Sequence, residues 1–155
     1  MAFLIYKTGN VFHSNASEAM ALASKSCLGE IKSGKVVYSP YEVLYLIDLK
    51  KAKLKSGKIK ADHSVYLVFR DLRSGGSILK EGLKFGADFR VYSRGDKPGK
   101  AHAKYLLYVI SGKKIDVLDF AAKARIAHST NKTLLLAVVD SEGGISYYDV
   151  SWKSQ

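Results

Sequence analysis

Apolar residues recur along this chain in short runs of changing period, and the change marks its organisation. AFLIY near the N-terminus reads as a strand. EAMALASKS follows as a helix, with Ser14-Asn15 offering an N-cap and Gly29 a stop. KVVYS is a short strand. Ser39-Pro40-Tyr41-Glu42 has the spacing of a capping box with proline at the first helical position, a strong start for the helix VLYLIDL. LKKAKLKSGKIKADH is lysine-dense and broken by Gly and Ser, so it reads as a hairpin or linker whose lysines form a solvated face. The pattern predicts a small α/β unit over residues 1–60, with a boundary near Ala61.

From Asp62 the period becomes helical. Val65, Val68, Phe69 and Leu72 stand at i, i+3, i+4 and i+7, a single buried stripe, and Gly75-Gly76 ends it. SILKEGLKF reads as two short strands about Glu81-Gly82, leading into the strand DFRVY. HAKYLLYVI is apolar on both faces after its first residues, which predicts a central strand. DVLDFAAKARIAHS is helical with Asp116 as its cap, and TLLLAVV is a second fully buried strand. DSEGG turns the chain and ISYYDVSW closes it as a last strand. A helix, a mixed sheet and a second helix crossing between strands make an α/β (α+β) layer domain over residues 61–155.

Composition adds a partner class. The chain carries 25 Lys+Arg against 14 Asp+Glu, a net charge of +11 in 155 residues. That excess points to a polyanion, most often nucleic acid. The ten tyrosines include faces that could stack unpaired bases, though most fit half-buried strand positions. No run reaches the length of a membrane span, and MAFLIYKTGN has neither the basic start nor the cleavage site of a signal peptide. A single cysteine, Cys27, leaves no internal disulfide and no Cys-based zinc site. A cytoplasmic protein without a cofactor is expected.

The candidate chemistry sits in GADFRVYSRGDKPGKAHAKYLLYVI and RIAHSTNK. Tyr92 ends a strand at an exposed Gly/Pro-rich loop bearing Arg94, Lys97 and Lys100, a composition suited to a phosphate backbone. His102 starts the next strand and Lys132 the one after the helix. A phenol, an imidazole and an ammonium form a metal-free set for breaking a phosphodiester. Groups at strand ends can converge at one sheet edge. His13, His63 and His128 read as ordinary core or surface residues. No paired-His metal spacing and no GxSxG elbow occurs. Asp88, Asp96 and Lys97 are a thin match to a metal-dependent nuclease.

In these words the sequence resembles the archaeal tRNA-splicing endonucleases. VYLVFRDLRSGG, LKFGADFRVYSRG, HAKYLLYV and RIAHSTNKTLLLAVVDSEGGISYY carry the likeness, which spans most of residues 64–150. SPYEVLYLIDLKKAKL matches more loosely. The resemblance implies a restriction-endonuclease-like α/β catalytic domain with a mixed central sheet. It implies Tyr92 as general base toward a 2′-hydroxyl, His102 as general acid toward the leaving 5′-oxygen, and Lys132 as stabiliser of the transition state. Arg125 falls on one of two cations that sandwich a flipped bulge base, with Trp152 a candidate for the second. The implied substrate is precursor tRNA cut at a bulge–helix–bulge.

Two departures from the family pattern carry expectations. Where self-assembling members have an acidic docking loop, this chain has Ser111-Gly112-Lys113-Lys114. A catalytic subunit of an α2β2 heterotetramer is therefore expected, with a structural endonuclease subunit as partner, over a homotetramer. Asn131 stands where the family often has arginine. A non-catalytic RNA-binding subunit of the same assembly and a metal-dependent DNA nuclease are the rival readings. ISYYDVSW is expected, by the same resemblance, to form a dimer edge.

Overall fold

The computed structural model describes residues 1–112 and 114–153 and divides into one unit ending at Asp62 and another beginning at His63. The fold is α+β: among the described residues, four α-helices accompany two mixed sheets of five strands each. No helix among them is long and apolar enough to cross a membrane.

In the first unit, β1 (Phe3–Thr8) turns through Gly9-Asn10 into β2 (Val11–Ser14), pairing Tyr6 with His13. The pattern did not reveal β2, because Ser14 looks like a helix cap. Ser14 is instead a buried strand residue whose hydroxyl donates to the Leu4 carbonyl at 2.7 Å. Helix α1 (Ser17–Ser26) starts from Ala16, which makes no side-chain cap bond. It ends at Cys27 in the left-handed region, before Gly29. Gly29 is required for another reason: a Cβ there would lie 2.3 Å from Val36 Cγ1.

β3 (Glu30–Lys32), which the apolar pattern also hides, pairs with β4 (Lys35–Tyr38). The capping box that opens α2 (Pro40–Asp48) is complete: the Ser39 hydroxyl accepts from the Glu42 N–H, and the Glu42 carboxylate accepts from the Ser39 N–H. The second oxygen of Glu42 accepts from the Gly29 N–H at 2.6 Å, so one buried carboxylate fixes a helix start and a loop. Part of the lysine-rich stretch is β5 (Ala52–Leu54), which lies parallel to β1 at the edge of the order β3-β4-β2-β1-β5. Lysine on a short edge strand discourages pairing with other chains, and it also masks the strand from pattern reading.

The second unit opens with α3 (His63–Ser74). Its buried stripe is Tyr66, Val68 and Phe69, with Val65 and Leu72 half-buried at its margins. The helix stops as expected: the Ser77 N–H donates to Leu72 and the Gly76 N–H to Arg73, with Gly76 at φ 96°, a Schellman arrangement. β6 (Ile78–Glu81) follows. The second strand expected here is a turn of 3-10 helix, Leu83–Phe85. Glu81 accepts from the Leu83 N–H, and a Cβ at Gly82 would sit 2.9 Å from the Ala87 carbonyl oxygen. Both features bend the chain out of the sheet.

β7 (Phe89–Tyr92), β8 (Tyr105–Ser111), α4 (Val117–Ser129), β9 (Thr133–Val139) and β10 (Ile145–Val150) complete the order β10-β9-β8-β7-β6. β8 and β9 are parallel, and α4 is the crossover that parallel strands require. Asp116 caps α4 by accepting from the Asp119 N–H at 2.9 Å. On one sheet face Leu106, Tyr108, Leu134 and Leu136 pack with Ala124 and Ala127 of α4. On the other, Phe89, which faces Leu107 in register, brings its ring to 5.4 Å from Phe69 of α3. The sheet thus lies between the two helices.

Candidate active site

Register fixes where the chemistry can lie. Arg90 pairs with Leu106, so Arg90 and Tyr92, two residues on, share the α4 face of β7. Two backbone bonds then draw three segments together. The Lys104 N–H donates to the Val91 carbonyl, and the Thr133 N–H donates to the Lys104 carbonyl, both at 2.9 Å. Val91 adjoins Tyr92, Lys104 lies two residues past His102, and Thr133 adjoins Lys132. Between Tyr92 and His102 the loop is closed by turns at Ser93–Asp96 and Lys97–Ala101, with Gly95 and Gly99 at positive φ. Ala103 is buried and anchors its return.

Tyr92, His102 and Lys132 line one cleft of about 500 Å³. Lys84, Arg90, Lys100 and Glu81 line it as well, so four cations face one carboxylate. Such a wall favours an anion. Tyr92 is 4% exposed, its ring sunk in the core and its oxygen accepting from Arg90 Nη1 at 3.3 Å. His102 is exposed and precedes β8 by three residues, where the sequence pattern had placed the strand's start. Lys132 follows Asn131, whose φ of 57° turns the chain from α4 into β9. Its ammonium donates to the Thr130 carbonyl at 3.2 Å and sits 5.3 Å from the centre of the Phe85 ring.

A model of the tRNA intron endonuclease catalytic C-terminal domain matches residues 63–147, more than half of the chain. A tRNA-splicing endonuclease of Methanothermobacter thermautotrophicus is 40% identical over 150 residues, covering 88% of each chain. One from Pyrococcus furiosus is 34% identical over 164 residues, covering 95% of this chain and 94% of its own. One from Thermococcus kodakarensis is 31% identical over 166 residues, covering 96% of this chain and 97% of its own. This chain belongs to the tRNA intron endonuclease family.

Other residues singled out in the sequence lie outside the cleft of this tRNA intron endonuclease fold. Arg94 lies against Gly76 at the end of α3, and Lys97 is exposed on the loop. Arg125 is exposed on α4. Trp152 sets its ring edge-on to His128 at 4.6 Å, one helical turn from Arg125. Asp88 accepts from the Val109 N–H at 2.7 Å and lines a second, smaller cleft that Asp96 does not line. In the basic loop Ser111 bonds to Ser64 and Lys114 is exposed, while Lys113 lies outside the described residues.

Pattern reading missed Arg90, Lys84, Phe85 and Glu81 as cleft residues. One signal was available for Arg90, the two-residue period that puts it on the face of Tyr92. For Lys84 and Phe85 there was none, because the turn that carries them reads as a strand.

Proposed function

We propose that this chain is the catalytic subunit of a tRNA-intron endonuclease that cuts precursor tRNA at bulge–helix–bulge sites. The observation that supports this most is the meeting of a phenol, an imidazole and an ammonium in one cationic cleft. In this reading the Tyr92 oxygen, its own proton first lost to solvent, takes the proton of a 2′-hydroxyl, whose oxygen attacks the adjacent phosphorus. The bond to the 5′-oxygen breaks, and His102 supplies the proton that oxygen needs. Lys132 holds the charge that builds on the non-bridging oxygens. The products are a 2′,3′-cyclic phosphate and a 5′-hydroxyl. No step calls on a metal ion, and a DNA strand, having no 2′-hydroxyl, is not a substrate.

Arg125 and Trp152 are proposed to hold a bulge base, and Arg94 and Lys97 to meet the RNA backbone. The basic stretch around Lys114, together with Val117 and Leu118 at 76% and 82% exposure, supports assembly with a structural subunit into an α2β2 tetramer. The free edge of β10, where Tyr148 is 54% exposed, supports a dimer contact. Cleavage of a bulged RNA in EDTA, with and without one 2′-deoxy nucleotide before the cut, tests the chemistry. Activity should survive chelation and vanish with the deoxy substitution. Cleavage of the deoxy strand would rule the mechanism out.

A further inference from the structure

Arg90 is a cleft residue to which the three-residue chemistry gives no task. Its guanidinium is held at two points. Nε donates to the Glu81 carbonyl at 2.9 Å, and Nη1 donates to the Tyr92 hydroxyl oxygen at 3.3 Å. The first partner is a backbone atom of the neighbouring strand β6, which has no rotamer to change. Glu81 and Phe89 pair in register, so β6 and β7 set the distance from that carbonyl to Arg90. The guanidinium plane is thereby fixed by the sheet.

That has a consequence for the phenol. Guanidinium offers donors only, so towards Arg90 the Tyr92 oxygen is an acceptor. Its own proton and its remaining lone pair must turn away from Arg90. The ring is almost wholly buried, and the open space the two residues share is the cleft. The reactive edge of the oxygen is left facing the place where a phosphodiester would sit.

We propose that Arg90 is the positioning residue for the Tyr92 hydroxyl, and that it acts on cleavage through that hydroxyl rather than by gripping the substrate. The proposal rests on the role given to Tyr92 above. Lysine cannot replace it, because a single ammonium on a flexible stem lacks the planar fork that spans a carbonyl and a phenol together.

The test is a double-mutant cycle in single-turnover cleavage of a bulged RNA by the assembled enzyme. Arg90→Met in the natural background should slow cleavage by about 10- to 100-fold. In a Tyr92→Phe background, where no hydroxyl remains to be aligned, the same change should cost less than about 3-fold. Arg90→Lys should behave like Arg90→Met and guards against a loss that is only one of folding, with thermal unfolding followed for each variant. Affinity for the uncleavable 2′-deoxy RNA should stay within about 2-fold of the parent, with the salt slope unchanged. An equal loss in both backgrounds, or weaker binding with the salt slope reduced by about one, would make Arg90 a phosphate ligand and overturn the proposal. Full activity of Tyr92→Phe alone would instead remove the role of the phenol, and this inference with it. The two failures are therefore distinct.

Discussion

The Lys132 ammonium and the Phe85 ring stand 5.3 Å apart, a cation over an aromatic face inside the cleft. The Thr130 carbonyl holds the same ammonium at 3.2 Å. A lysine stem is flexible, and two partners narrow where its charge can sit. Lys132→Ala should lower the cleavage rate by about 10²- to 10³-fold with binding of the uncleavable RNA retained. Phe85→Leu keeps most of the packing against the core and removes only the ring face. It should lower the single-turnover rate by about 3- to 10-fold, in keeping with a cation–π contact of about 1 kcal/mol. A Phe85→Leu enzyme that binds RNA much more weakly at an unchanged rate would show that the ring serves the substrate and not the lysine.

His102 is exposed at the cleft, ahead of the strand that anchors it. Its proposed task is to protonate a leaving oxygen, and that task can be removed from the substrate side. A bridging sulfur at the 5′ position departs without a proton. On the normal RNA, His102→Ala should be slower by about 10²- to 10⁴-fold. On the 5′-thio RNA the parent and the variant should cleave at nearly equal rates. A loss of the same size on both substrates would show that His102 does something other than donate that proton.

The long apolar elements were legible because their environment is uniform. TLLLAVV and YLLYVI are buried on both faces by α3 and α4, so nearly every position is apolar and period alone suffices. The capping box at Ser39 and the side-chain cap at Asp116 were legible because they are local chemistry. β2, β3 and β5 were not: each has three or four residues, and each owes its place to a neighbouring strand. Ser14 shows the failure in one residue, since its hydroxyl answers the distant Leu4 carbonyl and not the helix beside it. The site divides the same way. Tyr92, His102 and Lys132, which line one cleft, could be singled out as candidates because whole words surround them. Arg90 gains its meaning from the Glu81 carbonyl across the sheet, and Phe85 from an ammonium 47 positions later in the chain.

Three tyrosines have hydroxyls whose ionisation the fold resists. Burial raises Tyr147 first, and the Asp71 carboxylate, which accepts from its hydroxyl at 2.6 Å, raises it further. Tyr108 is raised by burial and then by Asp119 and Asp88. Tyr38 is raised by burial and then by Glu42. In each case the folded state keeps a proton that the unfolded chain releases above about pH 10. The stabilisation is present below that pH and is lost as pH rises above it. Thermal unfolding measured from pH 8 to 11 should show the midpoint falling only beyond about pH 10. Tyr147→Phe should lower the midpoint at neutral pH, by about 1 kcal/mol of stability, and flatten the alkaline decline. An alkaline decline as steep as the parent's would place the titrating group elsewhere.

Arg125 and Trp152 come from distant parts of the chain, yet Trp152 packs on His128, one turn along α4 from Arg125. Neither lines the cleft, so their proposed work is capture of an unpaired base and not bond breaking. Stacking of a base is worth about 1–3 kcal/mol, so either Arg125→Ala or Trp152→Ala should raise KM by about 5- to 100-fold and leave kcat within a few-fold. The loss should depend on the bulge: an RNA whose bulge base is replaced by an abasic site should bind parent and variants alike. Salt dependence separates the two, because Arg125→Ala removes a charge and Trp152→Ala does not. Equal losses on the abasic RNA would mean that both residues serve the fold or the backbone, and the base-capture role would have to be given up.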